Sequence, residues 1–576
     1  MNRVRTTFVA AALLALGGCA TVQGWLPKRE AQAAPAAAPA PVPAPVPAPV
    51  PASTERPTLV VTIVIDQFSA NLFNQYRDDF TGGLATLARQ GRVHANGFQQ
   101  HGLTETCPGH STVLTGMNPT RTGIPANDWI DPASGKEVYC LFAPQNHLAH
   151  GDDTTDNGVV GPEQLQATTL ADWLKAASPQ SRVYAVSGKD RGAINLNGHR
   201  GDGAYWFTDG FGFTTYVEPG QTAEGRLQPV AALNRRIMER LRATPPSWTY
   251  THEACRRLDG EWQINGRTFN SSLPPQNFAV DNSPILDELT LEAATELLET
   301  QQLGRRGTVD MLGVSLSGTD RIGHGYGTQG PEMCEQMFRL DAALGRFLER
   351  LPQGTVVVLT ADHGGSDFVE RLAVRGYPHA HRADPQRLAA INETLKAQFG
   401  LADGPLSSGG SGLVVGDKDK KALPEPLRAR IIEAALPLLR ANPDVAFAES
   451  RDVLLAEPLP PADLTPDLMT VRQRMRLSTV AGRSPDIIVA LSENVVSGGR
   501  VGGTISNHGT PWDYDRRVPI IFWWPGAEGQ ERFLPIRTID IAPTLAPIIG
   551  VQTPAGLDGR CIDLQAPGGS TCPTRP

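Results

Sequence analysis

Four separated stretches of this sequence each offer side chains suited to holding a metal ion. Asp66 closes the apolar run Leu59-Val60-Val61-Thr62-Ile63-Val64-Ile65. Asp320 and His324 lie in Gly318-Thr319-Asp320-Arg321-Ile322-Gly323-His324, Asp362 and His363 follow Leu359-Thr360-Ala361, and His508 lies in Ser506-Asn507-His508-Gly509. Carboxylates and imidazoles without thiolates suit zinc in an open catalytic site, and six such residues can supply two ions. Taken singly, an Asp at a strand end is commonly a helix cap and a lone His a surface or core residue. Asp362-His363 is harder to dismiss, because Gly364 and Gly365 let the backbone approach a ligand closely. The joint occurrence carries the reading.

A fifth stretch, Leu103-Thr104-Glu105-Thr106-Cys107-Pro108-Gly109-His110, supplies a reactive hydroxyl. Thr106 stands at the start of a predicted helix, where free N–H groups and the positive dipole end favour an alkoxide and a phosphate. Threonine is a poor nucleophile at its own pKa and needs a metal to activate it. Without the metal ligands, Thr106 would read as an ordinary N-cap.

These residues must be positioned by a scaffold. The runs at 59–65, 183–186, 311–316, 355–360, 487–491 and 519–523 read as buried strands, the first on both faces. Met337, Leu340, Leu344, Phe347 and Leu351 recur at helical spacing between two of them. Strands separated by helices predict an α/β fold: a mostly parallel central sheet with helices on both faces. Ligands of such sheets bind at the carboxyl ends of the strands, where the polar clusters lie. Two stretches, near 200–290 and 375–485, fit the alternation poorly and read as capping insertions in a catalytic domain over 57–568.

The ordered set Asp66, Thr106, Asp320/His324, Asp362-His363 and His508 resembles the alkaline phosphatase superfamily, closest to the phosphate-irrepressible bacterial enzymes with a threonine nucleophile. The resemblance runs from about Leu59 to Leu564 and includes Gly123-Ile124-Pro125-Ala126-Asn127-Asp128-Trp129 and Ser187-Gly188-Lys189-Asp190-Arg191-Gly192. It implies two zinc ions, one held by Asp320, His324 and His508, the other by Asp66, Asp362, His363 and Thr106. It also assigns Asn127, Lys189 and Arg191 to the non-bridging oxygens of a phosphoryl group. A phosphothreonine forms and is hydrolysed, with positioning and charge stabilisation dominating a loose transition state.

The same catalytic core serves several reactions, so the fold leaves the substrate open. A monoester dianion carries one more charged oxygen than a diester, and the pair Lys189 and Arg191 rewards that charge. Phosphodiesterases and nucleotide pyrophosphatases of the superfamily share the Thr and Asn but lack this pair, and remain the alternative reading. A sulfatase needs Cys or Ser at the nucleophile and Arg four residues later, where this chain has Thr106 and His110. A non-catalytic envelope lipoprotein is the remaining class, and no ligand or nucleophile has been lost to favour it. The acidic loops leave room for an extra calcium ion, although none has the spacing of a dedicated calcium loop.

Over 576 residues, 40% are hydrophobic and 19% charged, enough apolar content for a sizeable core. The net charge of -8 argues against a nucleic-acid partner and is compatible with small phosphorylated substrates, which need only a local cationic cluster. Residues 1–19 read as a signal peptide: Arg3 and Arg5, an apolar run from Phe8 to Leu16, then Gly17-Gly18-Cys19. The ending resembles a lipobox with Cys19 as the lipidated residue, the alternative being an ordinary signal peptide. Residues 20–56 are an Ala/Pro-rich tether, so export to the periplasm with a lipid anchor in the outer membrane is expected. Six further cysteines have no Cys-x-x-Cys spacing. Cys561 with Cys572 is the first choice for a disulfide, and Cys107, beside the nucleophile, is a candidate buried free thiol, with a bridge as the alternative.

Overall fold

The computed structural model describes residues 56–151, 159–275, 278–410, 412–565 and 571–573. The signal peptide, the lipobox and nearly all of the tether lie outside these residues. The central sheet is built from β1 (Leu59–Ile65), β2 (Arg92–Phe98), β3 (Val183–Ser187), β4 (Gly203–Thr208), β5 (Gly212–Thr214), β6 (Asp310–Leu316), β7 (Thr355–Thr360), β8 (Arg517–Trp523), β9 (Gln530–Arg532) and β10 (Ile536–Arg537). Its order is β9-β2-β8-β7-β1-β6-β3-β4-β5, with β10 paired to β2. The five strands β7-β1-β6-β3-β4 are mutually parallel, whereas β8 runs antiparallel to both neighbours and β5 antiparallel to β4.

The helices that matter for the site or its support are α1 (Thr106–Val113), α2 (Leu170–Ala177), α3 (Asp190–Asn197), α4 (Pro284–Thr300), α5 (Gly318–Tyr326), α6 (Pro331–Leu348) and α7 (Ile541–Ile548). Strand β1 is apolar throughout because both faces are covered. Leu59, Val61, Ile63 and Ile65 point into one core with α4 and α6, while Val60 and Val64 join α2 and α7 in the other. Alternation of side chains along the strand thus stitches two helical layers to one sheet. The predicted apolar face of α6 is buried through Met337, Leu340, Leu344 and Phe347; Leu351 lies in the turn after the helix.

Two expectations are corrected and a third strand is given its direction. Ile487–Leu491 is a strand, but it belongs to a separate four-stranded antiparallel sheet with Leu406–Ser408, Gly412–Val415 and Val445–Ser450. The run at 519–523 is in the central sheet but antiparallel to its neighbours. Residues 203–214, placed by sequence in an insertion, are the β4-β5 edge of the central sheet, and α4, placed partly in the same insertion, packs on the core. An apolar run shows that a strand is buried, not which partner covers it.

Candidate active site

Four of the five parallel strands deliver site residues at their carboxyl ends. Asp66 follows β1 and its N–H donates to Leu316 O at the end of β6. Asp320 and His324, four apart in α5, share one helical face. Asp362 and His363 follow β7, and Lys189 and Arg191 follow β3 at the start of α3. His508 arrives in the irregular segment ahead of β8.

The structure brings all six predicted ligands together. His324 Nε2 and His508 Nε2 each lie 3.3 Å from Asp320 Oδ1 and 3.2 Å from one another. His363 Nε2 lies 3.4 Å from Asp66 Oδ1 and 3.6 Å from Asp362 Oδ2. The rings of His363 and His508 stack with centroids 3.7 Å apart, so the two groups adjoin. Asp66, Asp362 and His363 form one set; Asp320 and His508 form a second with His324, and His363 reaches that one too.

The supporting contacts prepare the imidazoles for a cation. His324 Nδ1 faces Ser506 O at 2.9 Å, His508 Nδ1 faces Thr104 O at 2.8 Å, and His363 Nδ1 faces Gly364 O at 2.8 Å. A carbonyl only accepts, so each Nδ1 carries a proton and each Nε2 faces the cluster, where a cation can displace any proton it holds. Asp66 Oδ1, Asp320 Oδ1 and His363 Nε2 are buried with no hydrogen-bond partner among the described residues, and Asp362 Oδ2 meets His110 Nδ1 at 3.0 Å. Buried acceptors of this kind are costly unless a cation satisfies them. Three carboxylates, three imidazoles and orphaned acceptors fit a metal centre.

Burial and the neighbouring charges set the protonation of these groups. Burial, reinforced by Asp320 and Asp362, raises the Asp66 carboxyl above its ordinary value. Burial acts the same way on Asp320, but Lys189 and His324 outweigh it and hold that carboxyl well below the usual range. Burial and His508 hold His363 neutral. Burial opposes protonation of His508, yet Asp320 raises it to about 9.

Thr106 is the first residue of α1 and is buried. Gly109 allows α1 to lie against the ligand segment: a Cβ there would stand 2.2 Å from Asp362 O. The Cys107 N–H donates to Asn127 Oδ1 at 2.8 Å, and the Asn127 N–H donates to Glu105 Oε2 at 2.7 Å. With its oxygen so engaged, the Asn127 amide leaves its NH2 group as a donor. Lys189 Nζ bridges the two carboxylates, 2.6 Å from Asp66 Oδ2 and 2.5 Å from Asp320 Oδ2. Arg191 donates through Nη1 to Tyr139 Oη, which donates to Asp190 Oδ1, while Arg191 Nε is buried without a partner among the described residues.

Cys107 is not a free thiol. It is bonded to Cys140, and Cys255–Cys334 and Cys561–Cys572 complete three disulfides. The bridge ties the first turn of α1 to the segment after Tyr139. His110 and Ser315 are supporting residues that the sequence pattern does not single out: His110 Nδ1 is 3.0 Å from Thr106 O and from Asp362 Oδ2, and Nε2 is 2.9 Å from Ser315 Oγ. The i, i+4 spacing of Thr106 and His110 is the one signal pointing to them. Asp287, equally hidden in the sequence, accepts the Gly318 N–H that opens α5 and the Gln336 amide, and burial raises its pKa to about 7.

The family model described as Type I phosphodiesterase / nucleotide pyrophosphatase matches residues 60–510. The chain is 37% identical over 533 residues to Alkaline phosphatase PhoK of a Sphingomonas species, covering 90% of this chain and 92% of that one. It is 36% identical to Alkaline phosphatase PhoD of Zymomonas mobilis, covering 90% of each. The crystal structure of wild-type alkaline phosphatase PafA superposes with a TM-score of 0.75 at 25% identity, over 88% of this chain and 99% of that one.

Proposed function

The chain belongs to the type I phosphodiesterase/nucleotide pyrophosphatase family of the alkaline phosphatase superfamily, and from that membership we propose a metal-dependent phosphomonoesterase with Thr106 as nucleophile. Its relatives PhoK, PhoD and PafA, named as alkaline phosphatases, support this reading. The observation that carries the monoester assignment is the buried Lys189 ammonium between Asp66 and Asp320, two residues from Arg191. Two cations beside a metal cluster favour a phosphoryl dianion over a diester monoanion.

Two zinc ions, one on Asp66, Asp362 and His363 with Thr106 and one on Asp320, His324 and His508, would supply the Lewis acidity that activates the hydroxyl and stabilises the leaving oxygen. Thr106 Oγ1 gives up its proton and attacks phosphorus as the bond to the leaving oxygen breaks, giving a phosphothreonine and an alkoxide that takes up a proton to depart as the alcohol. Water then attacks the same phosphorus, releasing phosphate and restoring the Thr106 hydroxyl. Through both steps the Asn127 amide, the Lys189 ammonium and the Arg191 guanidinium hold the non-bridging oxygens, and the carboxylates keep Lys189 in place. Backbone carbonyls fix the three imidazoles, so little reorganisation accompanies the reaction.

The family model's own description favours a second reading, a phosphodiesterase acting through the same nucleophile. The ratio of kcat/KM for p-nitrophenyl phosphate over bis-p-nitrophenyl phosphate tests the choice. A ratio well above one is expected, and a ratio below one would make the diesterase reading correct. Metal analysis and chelation followed by add-back of zinc or another divalent ion identify the cofactor. Three disulfides support export to an oxidising compartment. Anchoring through Cys19 is tested by Cys19→Ala, which is expected to release the enzyme from membranes.

A further inference from the structure

A cleft of about 610 Å³ opens at His508 and Glu105 and runs between the catalytic core and the small four-stranded sheet. His508 belongs to the ligand set on the leaving-oxygen side in the phosphomonoesterase reading, on which this inference rests. Whatever leaves with that oxygen therefore faces this cleft.

The wall is apolar. Leu388, Leu413, Leu439, Val445 and Val489 come from two helices and three strands of the 375–491 region. Leu388, Val445 and Val489 are only partly buried, so they present apolar surface to the cleft instead of closing it.

Among the described residues, the cations at the rim are already committed. Arg382, the only Lys or Arg among the described residues lining the cleft, is committed to Glu370 at 2.8 and 2.9 Å and to Gly498 O at 2.7 Å. Asp444 already takes His381 Nε2 at 3.0 Å and the Asp384 N–H at 3.0 Å. Arg387 is spent likewise, on Asp384 at 3.7 Å and on Asp444 at 3.4 Å.

We propose that this cleft is the leaving-group subsite and that it selects phosphate monoesters of uncharged, apolar alcohols or phenols over those whose leaving group carries further negative charge. An apolar wall rewards each methylene taken from water, and a second phosphate would lose its hydration there with no uncommitted cation to meet it.

The test uses the zinc-loaded full chain and n-alkyl phosphates from ethyl to hexyl. Their alcohols have nearly the same pKa, so the chemical step is constant and chain length reports the cleft. kcat/KM is expected to rise at least about tenfold from ethyl to hexyl phosphate. Val489→Asp and, independently, Leu388→Asp are expected to flatten that rise while leaving ethyl phosphate turnover within about threefold. A flat series in wild-type enzyme that turns over ethyl phosphate overturns the subsite and leaves the phosphatase reading intact. An undiminished rise in both variants overturns it as well. No turnover of any alkyl phosphate or of p-nitrophenyl phosphate overturns the phosphatase reading itself, and the subsite with it.

Discussion

His110 and Asp362, both fully buried, meet with Nδ1 3.0 Å from Oδ2. The same Nδ1 faces Thr106 O, so one imidazole links the turn of the proposed nucleophile to a carboxylate of the candidate metal site. Residues that orient ligands commonly change metal affinity by about 10- to 100-fold when removed. His110→Ala is expected to weaken zinc binding to that extent and to lower kcat more than it raises KM. Competition with a chromogenic chelator measures the first effect. An affinity equal to wild type would reduce His110 to a packing residue, whereas partial recovery in His110→Asn supports the hydrogen-bonded role.

Much of this arrangement is legible in the sequence, for a physical reason. Asp66, Asp320 and Asp362 each closely follow an apolar run that is buried on both faces, and parallel sheets place functional groups at that end. His110 is harder to read. Its partner Asp362 is 252 positions away, and their meeting depends on Gly109 letting α1 pack against the ligand segment. The same limit explains the misplaced strands. Gly203–Thr208 is short and followed by a tight turn into β5, so its membership of the central sheet rests on pairing with β3 that local pattern does not encode. The Cys107–Cys140 bridge likewise joins elements whose proximity is a tertiary fact.

Lys189→Ala removes the only ammonium between Asp66 and Asp320 among the described residues. A hydrogen bond to a charged group is worth about 1.5–3 kcal/mol, which corresponds to roughly 10- to 150-fold in rate. Phosphomonoester kcat/KM should fall by at least that range, with diester kcat/KM falling less. Arg191→Ala should show the same asymmetry. Parallel assays with p-nitrophenyl phosphate and its bis ester decide it, and equal losses on both substrates would remove the basis for the monoester assignment.

Reduction of Cys107–Cys140 should cost both stability and activity. The bridge closes a loop of 33 residues, for which chain entropy alone predicts about 3–4 kcal/mol. It also holds the first turn of α1 beside Asn127, which accepts the Cys107 N–H. The double variant Cys107→Ser/Cys140→Ser is expected to lower Tm and to lower kcat. Cys561→Ser/Cys572→Ser, which removes an 11-residue bridge near the end of the chain, serves as the control and should retain kcat. Equal kcat in both double variants would show that the first bridge only stabilises.

Glu332, near the start of α6, should make stability fall as pH rises. Its carboxyl is fully buried; Oε2 accepts from Ser271 Oγ at 2.7 Å, and Oε1 has no partner among the described residues. Burial pushes its pKa from 4.5 up to about 7, against the opposing pull of the Ser271 hydrogen bond and Arg371. The folded state therefore holds this proton more tightly than the unfolded chain. The contribution is fully present below the unfolded value and is lost as pH climbs through about 7. The slope from one such group is at most about 1.4 kcal/mol per pH unit. Glu332→Gln keeps an acceptor for Ser271 and removes the titration. The variant should therefore gain stability relative to wild type between pH 5 and pH 8, as read by urea unfolding at both values. A difference between variant and wild type that is the same at the two pH values would show that Glu332 does not titrate in this range.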